Sequence, residues 1–426
     1  MAEQLSTETV FTWGAPPLKF GVGAVDELGH DLAQLGVERV LVVTDRGVAE
    51  TGIPERARHA AEEAGLKAEV YDGVHVEPTD ESLREAAEYA RAGEWDGFLA
   101  VGGGSSIDTA KAMNLLTSSP GDVMDYVNKP VGEGKAPEGP LKPLVAVPTT
   151  AGTGSESTPV CVLDILGLKV KSGISHPRLR PTLAVIDPLV TLTLPPTASA
   201  ASGMDIVGHA LESYTARRYT SYPRKEAAAR VAYCGSNPIS DMWSERALAM
   251  ITTSLRRAVL VGHDLEARTQ MAMAATFAGM GFGNAGVHLP HACAYPIAGM
   301  VRDYRPDGYI GDEPMVPHGE SVAVTTPAAF RFTFPADPER HMRAATLLGA
   351  DPASGRDPRE LLPDALIRLM RDIGTPNGIG ALGYGEGDVD DLVAGTVKQQ
   401  RLLVIAPRDA TEEDLARIFR DSVENW

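Results

Sequence analysis

The chain has 426 residues, too many for one small module and enough for two domains of ~100–250 residues each. Hydrophobic residues make up 43% and charged residues 23%, which excludes a disordered, collagen-like or coiled-coil chain. The formal net charge of −18 disfavours nucleic acid and anionic membranes as partners, because clustered Lys and Arg are what bind phosphate.

The N-terminal residues MAEQLSTETVF lack the basic and apolar regions of a secretory signal and the Arg-rich character of a transit peptide. They lead to the expectation of a cytoplasmic protein. Gly21-Val22-Gly23 is a weak glycine signal, since no apolar strand precedes it. From there short apolar runs alternate with helical patterns. Arg39–Asp45 reads as a buried strand, Pro54–Gly65 as a helix, Ala68–Tyr71 as a strand and Asp80–Ala92 as an amphipathic helix. Gly97–Val101 and Leu144–Val147 are two further strands, separated by a Gly-, Pro- and charge-rich loop over Ser118–Pro143. Strands alternating with helices indicate βαβ units and a parallel sheet, whose ligands bind at the carboxyl ends of the strands.

At Pro195-Pro196 the strand signal nearly vanishes. Thr197–Ala216, Ser244–Val261, Leu265–Gly281, Glu339–Leu348, Pro358–Ile373 and Thr411–Glu424 carry helical spacing. The apolar stretch Met271–Val287 is too short to span a bilayer and reads as a core helix. The expected organisation is an α/β domain over 1–196 and an all-helical domain over 197–426, with the site in a cleft between them. Cys161, Cys234 and Cys293 lie far apart and offer neither a disulfide framework nor a Cys-x-x-Cys zinc motif.

Four constellations carry chemistry. Gly102-Gly103-Gly104-Ser105-Ser106-Ile107-Asp108 follows the strand GFLAV and opens a helix. Glycines let the backbone approach a ligand, and the free N–H groups of a helix start favour pyrophosphate. Ser105 as N-cap with Asp108 three residues on would explain two of these residues as a capping box, but not three glycines. Asp45 closes the strand RVLVVTD, where a carboxylate can accept from ribose hydroxyls and repel a 2′-phosphate. Pro148–Glu156, PTTAGTGSE, is a hydroxyl- and glycine-rich loop after the strand LVAV. Finally, Asp205 and His209 stand at i and i+4 on one helix face, His288 and His291 lie one turn apart, and Pro317-His318-Gly319 follows. One carboxylate and three imidazoles make a closed donor set for a divalent cation, and no further charged group in those helices is expected to accompany them.

In this order, GGGSSID, PTTAGTGSE, D-x-x-x-H and H…PHG resemble the iron-containing (group III) alcohol dehydrogenases from roughly Phe20 to Ser422. The resemblance implies an α/β dinucleotide-binding domain with a parallel, Rossmann-like sheet, then an all-α metal-binding domain, an architecture shared with dehydroquinate synthase. It implies Asp205, His209, His291 and His318 as ligands of Fe²⁺, with Zn²⁺ compatible with the same donor types. It implies NAD lying along Gly103, Gly104, Ser105, Asp108, Thr150, Thr153, Ser155 and Lys171, with Asp45 near its ribose. Three segments, Met124–Lys135, Tyr233–Asp241 and His291–Gly299, resemble the hydroxyacid-oxoacid transhydrogenase branch. That branch passes hydride from 4-hydroxybutyrate to 2-oxoglutarate through a retained cofactor. The alternatives are an ordinary NAD(P)-dependent alcohol dehydrogenase and a lyase of the dehydroquinate synthase type.

Many family members carry His-x-x-x-His-Pro, but here the second histidine is Tyr295. The expected proton carriers are therefore His288 and the Tyr295 hydroxyl. The stretch Ala216–Trp243 holds Arg217, Arg218, Arg224, Lys225 and Arg230 against Glu226 and Asp241, a basic island suited to a carboxylate substrate. The expected partners are a small alcohol or hydroxy acid and an oxoacid, with a second copy of the chain forming a dimer.

Overall fold

The computed structural model describes residues 6–168, 170–309 and 314–426. Contacts divide the chain into two compact units, Ala15–Leu194 and Pro195–Trp426, the latter joined by the segment ending at Gly14.

The first unit is built on a six-stranded, wholly parallel sheet. Its strands are β1 (Leu18–Phe20), β2 (Arg39–Val43), β3 (Lys67–Tyr71), β4 (Gly97–Gly102), β5 (Leu144–Pro148) and β8 (Leu183–Ile186), ordered β1-β8-β5-β4-β2-β3. Two more strands, β6 (Val160–Ile165) and β7 (Val170–Ser175), pair as an antiparallel hairpin. Successive residues of the central strands feed opposite faces. Val40, Val42, Leu99, Val101, Val145 and Val147 pack with Leu28, Leu32, Ala57 and Ala61. Leu41, Val43, Phe98, Ala100 and Ala146 pack with Ala86, Ala90, Ile107 and Met113 on the other side. A sheet covered on both faces needs apolar residues at every position, which is why these strands read as unbroken runs. The path across the sheet reverses between β2 and β4. Such a switch point opens a crevice at the carboxyl ends, where Asp45 and the triple glycine follow their strands.

The strands β1 and β8 and the hairpin have no counterpart in the sequence reading. β1 has only three residues, and the hairpin alternates apolar with polar ones. The hairpin is anchored from below by a buried cation. Lys111, on the helix Gly104–Ser118, is wholly buried. Its ammonium donates to the Ser155 carbonyl (2.8 Å), the Ser155 hydroxyl (2.7 Å) and the Val160 carbonyl (2.6 Å), beside the Asp108 carboxylate at 3.2 Å. Asp108 in turn accepts from the Val162 N–H at 2.8 Å.

The second unit is helical. Its central helix, Pro196–Thr215, starts on Pro196 and is packed by Pro238–Leu260, Leu265–Ala285 and His318–Ala323. Pro238–Leu260 begins six residues before the expected Ser244, because the Asn237 side chain accepts from the Ser240 N–H and Pro238 takes the first helical position. The expected core helix over Met271–Val287 is the buried part of Leu265–Ala285. No described helix is long and apolar enough to cross a membrane. The segment ending at Gly14 is sewn into this unit: the Glu8 N–H donates to the Tyr222 carbonyl, and Gly14 and Asn284 exchange two hydrogen bonds.

Replacing Lys111 by Met leaves the Asp108 carboxylate buried without its cation. We expect a loss of about 3–5 kcal/mol in the stability of the sheet unit, read as a lower denaturant midpoint.

Candidate metal centre and cofactor loops

The helical unit brings four nitrogen and oxygen donors to one point. Asp205 and His209 project from one face of Pro196–Thr215, two residues of a pair one turn apart. His291 comes from the helix Leu289–Gly299 and His318 is the first residue of His318–Ala323. The Asp205 Oδ1 stands 3.6 Å from His209 Nε2, 3.5 Å from His291 Nε2 and 3.8 Å from His318 Nε2. Donors bonded at ~2.1 Å to one tetrahedral ion are ~3.4 Å apart, so the spacing is that of ligands around a common cation. Asp205, His209 and His291 are all buried. Asp205 Oδ1 and His291 Nε2 are buried with no hydrogen-bond partner. Orphaned polar atoms cost free energy unless something satisfies them, and a divalent ion satisfies both at once. The residues present fit a metal.

The electrostatics agree. Burial alone would raise the Asp205 pKa, but the imidazoles of His209, His318 and His291 outweigh it and hold the carboxylate ionised. Burial pushes His209 down to about 4, so at neutral pH its lone pair is free. Burial opposes charge on His291 too, yet the Glu212 and Asp205 carboxylates raise it to about 10. The point between His291 and Asp205 thus attracts positive charge.

Glu212 is the residue the sequence reading missed. It lies on the same helix, is wholly buried, and corrects the expectation that no further charge accompanies the donors. Its Oε1 accepts from His291 Nδ1 at 2.6 Å, and its Oε2 accepts from the His288 N–H at 2.5 Å. The first bond fixes the tautomer that presents Nε2 to an ion. The sequence signal was there: Glu212 is seven residues, two turns, from Asp205 in an otherwise apolar helix. Phe282 stacks on His209 with ring centroids 3.9 Å apart and shuts one side of the site. Gly319 permits the approach of His318, since a Cβ there would sit 1.8 Å from the Ala201 carbonyl oxygen.

The two expected proton carriers part company. Tyr295 is one turn after His291, with its ring 6.3 Å from that of His318 and its hydroxyl 3.4 Å from Arg401 Nη2. His288 is not in the group. Gly286, at φ 96°, ends one helix and Leu289 starts the next, so His288 falls between them rather than a helical turn before His291. It is wholly buried, and its Nε2 bonds the Thr215 hydroxyl at 3.0 Å.

In the sheet unit, the helix Gly104–Ser118 is capped by Gly103 with no side-chain bond. The alternative reading of Ser105 and Asp108 as a capping box does not hold, and the first N–H groups stay available to an anion. Ser105 Oγ instead accepts from the Glu77 N–H at 3.1 Å. A Cβ on Gly104 would sit 2.8 Å from Thr153 Cγ2, and one on Gly103 would sit 3.4 Å from Thr150. The two loops thus form a cradle that side chains on the glycines would fill. Asp45 caps a short helix by accepting from the Val48 N–H and also accepts from Ser106 Oγ at 3.2 Å. Asp108 and Ser155 bond each other at 2.5 Å, and Lys171 pairs with Glu77 at 2.5 Å and Asp164 at 3.0 Å. These three side chains brace the loops. Burial would lower the Lys171 pKa, but the two carboxylates raise it. Glu77 itself holds φ 58°, a left-handed conformation at the rim of the glycine loop.

Comparison with known proteins places this geometry. Residues 16–188 match the family model for iron-containing alcohol dehydrogenase, and residues 199–423 match the C-terminal model of the same family. A mitochondrial hydroxyacid-oxoacid transhydrogenase from Bos taurus is 46% identical over 424 residues, 98% of this chain and 91% of its own length. The solved structure of 1,3-propanediol oxidoreductase aligns with a TM-score of 0.85 at 32% identity, over 97% of this chain and 100% of that one. Sulfoacetaldehyde reductase from Bifidobacterium kashiwanohense, solved in complex with NAD+, aligns with a TM-score of 0.80 at 26% identity, over 96% of this chain and 98% of that one. The transhydrogenase relatives, from cattle to Dictyostelium discoideum, are mitochondrial by name. This overturns the cytoplasmic expectation, whose only ground was N-terminal composition.

Glu212→Gln keeps the shape but weakens the bond that orients His291; metal affinity, measured by chelator competition, should fall roughly 10–100-fold. Gly319→Ala forces the two helices apart at His318, and the purified protein should retain far less metal by elemental analysis.

Proposed function

The chain belongs to the iron-containing alcohol dehydrogenase family, and we propose that it is a hydroxyacid-oxoacid transhydrogenase. It would pass hydride from 4-hydroxybutyrate to a bound nicotinamide and on to 2-oxoglutarate, releasing succinate semialdehyde and 2-hydroxyglutarate. The observation that carries the reading is the convergence of the buried Asp205, His209 and His291 with the half-buried His318, Asp205 Oδ1 and His291 Nε2 having no hydrogen-bond partner.

Asp205, His209, His291 and His318 would hold the ion, iron in this family. When bound, the ion and the nicotinamide supply Lewis acidity at the substrate oxygen and a reversible hydride acceptor. The rest falls to side chains. Glu212 holds His291 in one tautomer. Phe282 keeps water off His209. The Tyr295 hydroxyl is the proposed proton relay, standing in for the histidine other members carry there. His288, bonded to Thr215, supports the helix start. In the sheet unit, Gly103, Gly104, Ser105, Thr150 and Thr153 would line the dinucleotide, braced by Asp108, Ser155 and Lys171. Asp45 would select NAD by accepting from ribose hydroxyls.

A dehydrogenase that releases its cofactor at every turnover is the second reading, favoured by the likeness to 1,3-propanediol oxidoreductase. The two differ in one measurement. Iron-loaded protein with a trace of NAD should convert 4-hydroxybutyrate and 2-oxoglutarate into products far in excess of the NAD present. Steady growth of absorbance near 340 nm with excess NAD and no oxoacid, together with no such excess of product, assigns the dehydrogenase and rejects the transhydrogenase. Chelation should abolish turnover, and iron should restore it.

A further inference from the structure

Much of the basic island Ala216–Trp243 is engaged within the protein, Arg224 with the Thr9 hydroxyl. Arg217 pairs with Asp409, Arg218 with Asp337 and Arg230 with Glu8, while Lys225 lies over the Tyr222 ring. A further arginine, Arg401, lies on the short helix Gln400–Leu403. Among the described residues it has no carboxylate within ion-pair distance, and its polar contact is the Tyr295 hydroxyl at 3.4 Å. The Arg401 side chain is partly buried.

Its surroundings point to an occupant. Tyr295 links Arg401 to the donors, because its ring faces that of His318 at 6.3 Å. Phe282, Val287, Ala292, Tyr295 and Leu402 form one apolar cluster, and Phe282 is the ring stacked on His209. Arg401 thus adjoins this apolar cluster through Tyr295, the residue whose ring lies near His318. That combination takes a carboxylate carried on a short methylene chain.

We propose that Arg401 is the carboxylate anchor for both half-reactions. The inference rests on the transhydrogenase reading for its choice of substrates. In 4-hydroxybutyrate the carbon that loses hydride is C4 and the carboxylate is C1, three carbon–carbon bonds away. In 2-oxoglutarate the carbon that gains hydride is C2 and the distal carboxylate is C5, again three bonds away. One guanidinium at one distance thus positions the reacting carbon of both compounds. The 1-carboxylate of 2-oxoglutarate is not needed for this anchoring. Tyr295, already bonded to Arg401, is held in place by the same guanidinium.

The test uses metal- and NAD+-loaded enzyme, in which no hydride is available to an oxoacid. Calorimetry compares 2-oxoglutarate with 2-oxobutyrate, which lacks the distal carboxylate. Arg401→Met should weaken 2-oxoglutarate binding roughly 10–100-fold and erase its preference over 2-oxobutyrate, while Arg401→Lys keeps part of that preference. In turnover, the ratio of kcat/KM for 4-hydroxybutyrate to that for 1-butanol should fall by a similar factor in Arg401→Met. Equal weakening of both oxoacids, an unchanged preference, or a wild type indifferent to the distal carboxylate overturns the anchor. If the wild type oxidises 4-hydroxybutyrate only with free NAD, the transhydrogenase reading fails while these ratios still decide on Arg401.

Discussion

A carboxylate oxygen at Asp205, buried and facing three imidazole nitrogens 3.5–3.8 Å away, is the constraint on which the helical unit is built. A buried ionised group with no hydrogen bond costs several kcal/mol, so the surrounding structure must supply both the charge and the geometry that compensate it. Three separate helices deliver the imidazoles. Helices approach this closely only where side chains are small: Gly208 faces Val322 and Gly319 faces the Ala201 carbonyl between the helices of His209 and His318, while Gly203 and Gly281 admit Leu255 and Ser244 of Pro238–Leu260. The Ala- and Gly-rich composition of these helices, which looks featureless as sequence, is the packing condition for the site. Glu212 extends the arrangement by one layer, tying His291 and the N-terminus of its helix back to the helix that carries Asp205.

What could be read from sequence follows from which physical periodicity each feature obeys. The central strands were legible because a sheet covered on both faces leaves no polar position in them, whereas β1, β8 and the hairpin are short or mixed in pattern. Asp205 and His209 were legible because i, i+4 spacing is a local rule. His291 and His318 meet them through tertiary packing, so only their motifs pointed there. Glu212 carried a signal in its two-turn spacing from Asp205, but a glutamate there fits a solvated face equally well until burial is known. His288 was misplaced because Gly286 ends the preceding helix and the next begins only at Leu289, leaving His288 as its N-cap, bonded to Thr215. The basic island misled for a further reason: composition counts charges but not their partners, and Asp409, Asp337 and Glu8 come from distant parts of the chain.

The sheet unit solves a different problem with the same economy of means. Its strand order puts the ends of β2 and β4 side by side, and the polar loops follow those strands because nothing else is free of the two-sided core. The glycine at 104 is required by the nearness of Thr153, and the uncapped helix start leaves donors for an anion. Lys111, Asp108 and Ser155 then act as a buried polar knot that fixes one loop to the helix of the other. Burying a lysine is tolerable here because every proton on its nitrogen has an acceptor.

Family membership accounts for the donors and the dinucleotide cradle, but not for a choice among alcohols. That choice falls to side chains beside the donors, where this chain carries Tyr295 and Arg401. A tyrosine hydroxyl and a guanidinium both donate hydrogen bonds and both favour a carboxylate oxygen over a methyl group. An apolar alcohol would leave that guanidinium desolvated and unpaired, so the same arrangement that welcomes a hydroxy acid rejects its uncharged analogue. Transhydrogenation adds one requirement: the second substrate must fit where the first product has just left, with the nicotinamide still in place. Two compounds whose reacting carbon and terminal carboxylate are separated by the same three bonds meet it without any rearrangement of the site. A retained cofactor and a shared carboxylate anchor are then two aspects of one design, since a site that accepts both partners in one pose has no need to release its cofactor between them.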